Sequence, residues 1–351
     1  MIALVAACEG GGDGGSGSST PSPRKIYHGV TPDRWATWKW PAEGGAQAIS
    51  DDLTAYEAAA GRTVAWAAFA NEWELEGAGF PAAVATAIRA RGAMPFIYLT
   101  FRRSAVPEPQ VYLDLILNGD FDADIAAWAE QATDFGSRII VDWGWEMNIT
   151  DAPWNGTHNG GAGQGPQRYR AAFRHIVELM RSRGADNIHW AFHANFPEFP
   201  AEDWNAFENY YPGDDVVDSV GVSIYGAQSP IDATVPSFVA LMDVAYPRLR
   251  AMAPSKPVMV YEFGSTAGHP QRTAESWADE ALTGIFSGRW PEVRGFAWWN
   301  ETWTNEYSPD DPTEMRLEVL PNLALAFRSH LVGSSSLGDR PSTPMSLLGP
   351  P

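Results

Sequence analysis

"SRIIVDWGW" (137–145) is a short run whose successive apolar residues fall on both faces of an extended chain, and it stops one residue short of Glu146. A strand apolar on both faces belongs in a parallel sheet covered by helices, whereas a half-exposed antiparallel strand alternates apolar with polar. Runs of the same kind occur at "KIYHGV" (25–30), "TVAWAAFA" (63–70), "AMPFIYLTF" (93–101), "NIHWAFHA" (187–194), "DSVGVSIY" (218–225), "KPVMVYEF" (256–263) and "VRGFAWWN" (293–300). Between them lie amphipathic stretches such as "QAISDDLTAYEAAAG", "PAAVATAIRARG", "DADIAAWAEQATDFG", "PQRYRAAFRHIVELMRSRG" and "RTAESWADEALTGIFSG". Several close on a glycine suited to a left-handed helix cap. Eight strand–helix units in roughly 300 residues fit a closed barrel, for which about 250 residues is typical. An open doubly wound sheet is the alternative, but "GVTPDRW" after the first run has neither GxGxxG nor P-loop spacing. The expected fold class is therefore α/β, a (β/α)8 TIM barrel in a single domain spanning 26–332.

Composition narrows the partners. The 351 residues are 45% hydrophobic with 16 tryptophans, enough for a large core and for aromatic surface beyond what packing needs. Against 43 acidic residues stand 24 Lys and Arg, a formal net charge of −19 that repels phosphate backbones and anionic lipid. Nucleic acid is thus an unsuitable partner, and a neutral polymer such as a polysaccharide suits the tryptophans. The single cysteine, Cys8, excludes an internal disulfide. No histidine or cysteine cluster has metal-ligand spacing, so neither metal nor organic cofactor is expected.

The flanks read differently from the middle. "MIALVAACEGGGDGGSGSS" is similar to the end of a bacterial lipoprotein signal, with Val5-Ala6-Ala7-Cys8 as the cleavage and lipidation site. Residues 1–25 are read as that signal, without its charged start, plus a Gly/Ser linker, and residues 333–351 as a disordered tail. The expectation is a secreted or surface-anchored bacterial monomer, attached to membrane only through Cys8. No run of about 20 apolar residues predicts a transmembrane helix.

In a barrel of this kind chemistry gathers where strands end. The fourth run leads to Glu146 and the seventh ends at Glu262 in "VMVYEFGS". A glutamate closing an apolar run costs desolvation unless it reaches the barrel mouth, and two of them from different strands can converge on one pocket. Paired carboxylates are what glycoside hydrolysis requires, one as acid and one as nucleophile or base. An isolated glutamate at a strand end more often caps a helix or pairs with an arginine. Nearby Trp143, Trp145, Trp154, Trp298 and Trp299 shift the reading toward a sugar site, because flat indoles stack on pyranose C–H faces. Glu72 and Glu301, each closely following an asparagine at a strand end, are weaker competitors.

These segments resemble glycoside hydrolase family 26. Its acid/base region reads roughly H-E-M-N-G-x-W-x-P-W, and "WEMNITDAPW" places Glu146, Met147, Asn148, Pro153 and Trp154 in register. "RYRAAFRHIVELMRSRGADNIHWAFHAN", "YYPGDDVVDSVGVSIYG", "KPVMVYEFGS" and "VRGFAWWNE" follow in the family's order. The resemblance implies a retaining double displacement with Glu146 as general acid/base and Glu262 as nucleophile, the carboxyl groups roughly 5–5.5 Å apart. It further implies that Tyr225 hydrogen-bonds the nucleophile, that Trp298 or Trp299 floors the reacting subsite, and that Asn148 binds a hydroxyl or orients its loop. Trp145, Trp154 and His193 complete the expected substrate-binding set, with Arg138 pointing toward the same rim. Trp145 replaces the family histidine and Ile149, Thr150 and Asp151 replace its G-x-W, positions that shape the subsites beside the scissile bond. β-1,4-mannan is the leading expected substrate and β-1,3-xylan or β-glucan the runner-up; a carbohydrate-binding lipoprotein without turnover is the alternative from another class.

Overall fold

Each of the eight apolar runs forms one strand of a closed parallel barrel in the computed structural model, which describes residues 25–36, 44–73, 77–101, 112–306 and 308–338. Cys8 with its expected lipidation, nearly all of the 1–25 segment and the last part of the tail lie outside the described residues. In chain order the elements are β1 (Tyr27–Thr31), α1 (Gly45–Ala60), β2 (Trp66–Glu72), α2 (Ala82–Ala90), β3 (Met94–Thr100), α3 (Tyr112–Leu117), α4 (Asp122–Phe135) and β4 (Ile139–Trp143). They continue with α5 (Gly161–Ser182), β5 (Ile188–Asn195), β6 (Ser219–Tyr225), α6 (Phe238–Met252), β7 (Val258–Gly264), α7 (Ala274–Phe286) and β8 (Val293–Trp299). A hairpin, β9 (Thr302–Asn305) with β10 (Ser308–Glu314), and α8 (Pro321–Leu331) close the order. β8 pairs back onto β1, so the barrel leaves no open edge.

Two faces of the strands do two jobs. Trp66, Ala68 and Ala70 of β2, Met94, Phe96 and Tyr98 of β3, and Met259 and Tyr261 of β7 fill the interior. Trp66 fits there because its neighbours lack side chains: a Cβ at Gly29 would lie 2.1 Å from its ring, and one at Gly295 2.4 Å. The opposite faces, carrying residues such as Ile97, Val260, Phe263 and Trp298, pack beneath the helices. Sequence signals place the helix ends: Ser237 and Thr273 accept the Ala240 and Ser276 amides, and α1 and α4 stop at Gly61 and Gly136 in left-handed conformation.

The differences from the sequence reading have local causes. β4 stops at Trp143 because Gly144 turns the chain at φ 72, and Glu146 itself sits at φ 52. β9 and β10 escape detection because "SPDDPTE" carries two prolines and no apolar alternation. Residues 333–338, expected as the start of the tail, lie on the barrel instead: Leu337 is buried, bridges to Ile26, and Ile26 N–H donates to Ser336 O at 3.0 Å. Gly338 N–H donating to Ile26 O at 2.9 Å and Lys25 Nζ donating to Ser335 O at 2.6 Å complete the attachment of that stretch beside β1.

Candidate active site

Glu146 and Glu262 line one cleft of about 760 Å³ at the C-terminal mouth of the barrel, together with Trp35, Trp145, Ile149, Thr150, Asp151, Asn195, Phe199, Tyr225, Gln228, Trp299, Glu301 and Trp303. Glu262 gets there by a bulge. β6 and β7 pair Val222 with Val260 and then Ser223 with Glu262, skipping Tyr261. The extra residue turns Glu262 inward beside Tyr261, although plain alternation from Val258 and Val260 would send it to the helix face. Once inside, its carboxylate accepts the Tyr98 hydroxyl on Oε1 at 2.8 Å and the Tyr225 hydroxyl on Oε2 at 2.7 Å. Both bonds favour its charged form, but burial, with the Glu146 charge beside it, pushes Glu262 up to about 7.

Glu146 stands on the turn after β4, its amide donating to His193 O at 2.7 Å. Burial raises its carboxyl too, while the nearby His193 imidazole and Ser223 hydroxyl oppose that rise. Two carboxyls that each resist ionisation in one cleft favour a shared state of one proton and one charge.

The other expected residues divide between contact and support. Trp145, Tyr225 and Trp299 line the cleft, and Trp299 packs edge-on against Trp35 at 5.0 Å. Trp298 does not: it is wholly buried on the helix side, donates to Met315 O at 2.7 Å and packs on Phe263 and Phe327. Alternation along β8 decides this, since Gly295, Ala297 and Trp299 share the inward face. Trp154 is likewise buried, a prop whose indole N–H donates to Trp145 O at 2.7 Å. Asn148 has no reach to a substrate, because its amide is spent on Asn195 O (2.8 Å) and Asn195 N (2.9 Å), which orients the loop. His193 is fully buried beneath the cleft, and Arg138 precedes β4, at the opposite end of the barrel from the mouth.

Trp298→Ala is therefore expected to cost stability, on the order of 3–5 kcal/mol for an aromatic removed from a core. Trp299→Ala should leave the thermal midpoint nearly unchanged and weaken sugar binding. Thermal unfolding and titration with oligosaccharide separate the two; equal losses of stability would contradict the assignment of faces.

Sequence reading missed Tyr98, Trp35, Asn195 and Phe199. Tyr98 was reachable from parity, two residues after Phe96 on the inward face of β3, but Trp35 and Phe199 sit in loops without periodicity. Phe199 is 64% exposed, and its amide donates to Asn148 O at 2.9 Å. Of the two competing glutamates, Glu301 lines the cleft and accepts the Trp35 indole N–H at 3.1 Å, whereas Glu72 is not among the lining residues.

Residues 105–263, the stretch that carries both glutamates, match the profile of glycosyl hydrolase family 26. The match covers a little under half of the chain. Among characterised relatives, Endoglucanase H of Acetivibrio thermocellus is 28% identical over 225 residues, 63% of this chain and 23% of that protein. Beta-1,3-xylanase TXYA of a Vibrio species is 32% identical over 116 residues, 32% of this chain and 22% of that protein. The chain thus spans less than a quarter of the length of either relative. Among solved structures, a Cellulomonas fimi endo-β-1,4-mannanase double mutant superposes with a TM-score of 0.64 at 16% identity, covering 92% of this chain and 74% of that one. The Bacteroides ovatus β-mannanase BoMan26A gives 0.61 at 16% identity, with 88% and 89% covered. At such identities these structures bear on the barrel alone, and the likeness to family 26 rests on the sequence match over residues 105–263.

Proposed function

We propose that this chain is a family 26 glycoside hydrolase that cleaves a neutral β-linked polysaccharide with retention of configuration. The observation that carries the reading is the convergence of Glu146 and Glu262 in one aromatic cleft, with two tyrosine hydroxyls fixed on Glu262. The pair shares one proton, and the reacting form is the one with the charge on Glu262, where two donors stabilise it, and the proton on Glu146. Glu262 then attacks the anomeric carbon as Glu146 protonates the departing glycosidic oxygen, forming a glycosyl ester. Glu146, now ionised, takes a proton from the water that opens that ester.

Trp145 bears on the sugar. Its ring packs on Trp154 at 4.6 Å and on Tyr98 at 5.1 Å, so an apolar wall stands where the family motif has a hydrogen-bonding histidine. Gluco- and xylo-configured β-pyranoses carry every hydroxyl equatorially and offer flat C–H faces, whereas the axial O2 of mannose stands up from one face. We infer that a β-glucan or β-1,3-xylan precedes the β-1,4-mannan expected from sequence, an order that the names of the two characterised relatives support. Incubation with mannan, galactomannan, β-1,3-xylan, mixed-linkage β-glucan and β-1,4-xylan, followed by product identification, tests both parts. Faster release from mixed-linkage glucan or β-1,3-xylan is expected, with the β-anomer appearing first in proton NMR. Exclusive cleavage of mannan would reverse the order, and no release from any of them would overturn the hydrolase reading. Cell-surface attachment through Cys8 belongs to the same proposal, and loss of radiolabelled palmitate from a Cys8→Ser variant of the expressed chain would support it.

A further inference from the structure

A second groove opens on the rim of the catalytic cleft. About 270 Å³ in volume, it is lined by Gln164, Pro166, Gln167, Arg170, Trp204 and Asn209, where the start of α5 meets the loop after β5. Both loops that build it also line the cleft. The one after β4 carries Glu146, Ile149, Thr150 and Asp151 before it leads into α5, and the one after β5 carries Phe199 before Trp204. Trp204 follows Phe199 by five residues, so their Cα atoms lie at most about 18 Å apart. Asn205 Nδ2, next to Trp204, donates to Asn148 O at 2.9 Å and ties the two loops into one rim.

Trp204 is set as a platform before any ligand arrives. Its indole N–H donates to the Glu202 carboxylate, and its carbonyl accepts the Asn209 side-chain amide at 3.2 Å. The ring edge rests on Gly156, where a Cβ would come within 3.0 Å of Cζ3. Half-buried, with no other described ring against it, the indole keeps part of its surface for a ligand. Gln164 and Gln167 are exposed, and neither side chain has a hydrogen-bond partner among the described residues. Arg170 donates to Asn209 O, and no carboxylate is among the described lining residues. Open amides beside a flat apolar surface suit sugar hydroxyls above a pyranose C–H face. An anionic ligand would call for more than one arginine already turned onto a backbone carbonyl.

We propose that this groove is a second polysaccharide-binding site, which holds a stretch of neutral β-linked chain outside the cleft and keeps substrate close to Glu146 and Glu262. The inference rests on the reading of the cleft as a polysaccharide site. Its volume lies just under the roughly 300–1,000 Å³ of small-ligand pockets, so it takes one segment of a longer chain. Two weak contacts on one polymer reinforce each other, because binding at the first makes the second intramolecular. A short substrate that ends inside the cleft gains nothing from the groove.

The test is affinity electrophoresis of the whole chain through gels holding barley mixed-linkage β-glucan, carob galactomannan, β-1,3-xylan or polygalacturonate. A Glu262→Ala background stops turnover, and Trp204→Ala and Gly163→Phe are each added to it. Gly163 lines the groove and a Cβ there meets nothing within 4 Å, so the added ring obstructs the site without disturbing the fold. Each variant should bind the retarding neutral polysaccharide about three- to tenfold more weakly, the effect of one aromatic contact. Polygalacturonate should retard none of the proteins. Unchanged retardation in Gly163→Phe would overturn the site even if Trp204→Ala fails to fold, and so would retardation by polygalacturonate alone. With Glu262 restored, Trp204→Ala should raise KM for the polysaccharide by a similar factor and leave kcat/KM for an aryl glycoside unchanged. An equal loss on both substrates would reduce Trp204 to a support of the cleft and overturn the site. Inertness of the wild type toward every polysaccharide overturns the hydrolase reading instead, and retardation, which needs no turnover, still decides the groove.

Discussion

Glu262→Ala is expected to abolish turnover on the accepted polysaccharide, by about 10⁶-fold if it resembles other hydrolases stripped of a covalent nucleophile. The space vacated keeps the Tyr98 and Tyr225 hydroxyls, but the carboxylate oxygen that forms the glycosyl ester is gone from between them. Azide small enough to occupy that space should restore cleavage of an activated aryl glycoside and give the α-glycosyl azide, because attack then comes from the vacated face. Turnover within tenfold of wild type, or a β-azide product, would remove Glu262 from the nucleophile role. A stability measurement gives an independent check with opposite sign. Glu262 is pushed up to about 7 from its ordinary 4.5, so the folded protein binds its proton more tightly than the unfolded chain does. Its contribution to stability is complete below about pH 4.5 and is lost as pH rises through 7. Glu262→Gln should accordingly raise the thermal midpoint at pH 8 and have little effect at pH 4.5. A destabilised variant at pH 8 would mean that the two tyrosine bonds outweigh burial.

How much of this was readable in the sequence depended on whether the deciding physics was periodic. Strand runs apolar on both faces required helices on one side and a filled interior on the other, and closure into eight followed from their count and spacing. The separation of Trp299 from Trp298 was available from the same alternation, once Gly295 and Ala297 are seen to share the inward face. Glu262 was not available in that way. Alternation alone sends it outward, and only the β7 bulge, set by pairing with β6, brings it to the cleft. Trp35, Phe199 and the hydrogen bonds that commit Asn148 to Asn195 depend on loops meeting in space, for which sequence has no period. The family resemblance supplied the two glutamates that periodicity could not rank, but it placed His193 among the substrate-binding residues, whereas the structure buries it between Asp142 and Ser223.

Glu146→Ala is expected to have an effect that depends on the leaving group, which distinguishes an acid/base from a residue that merely shapes the cleft. On polysaccharide, whose departing alcohol needs a proton, the rate should fall by about 10²- to 10⁴-fold. On a 2,4-dinitrophenyl glycoside the first step needs no proton and should survive, so the phenolate appears as a burst while the Glu262 ester accumulates for want of a base. Azide, which needs no deprotonation, should relieve that second step and yield the β-glycosyl azide, opposite in configuration to the Glu262→Ala product. The alkaline limb of the pH profile should vanish in the variant, because the wild-type limb reports loss of the Glu146 proton, which burial holds above the ordinary carboxyl range. An equal fall for both leaving groups with the limb intact would place the acid elsewhere, and Glu301, inside the same cleft, would then be the carboxyl to test.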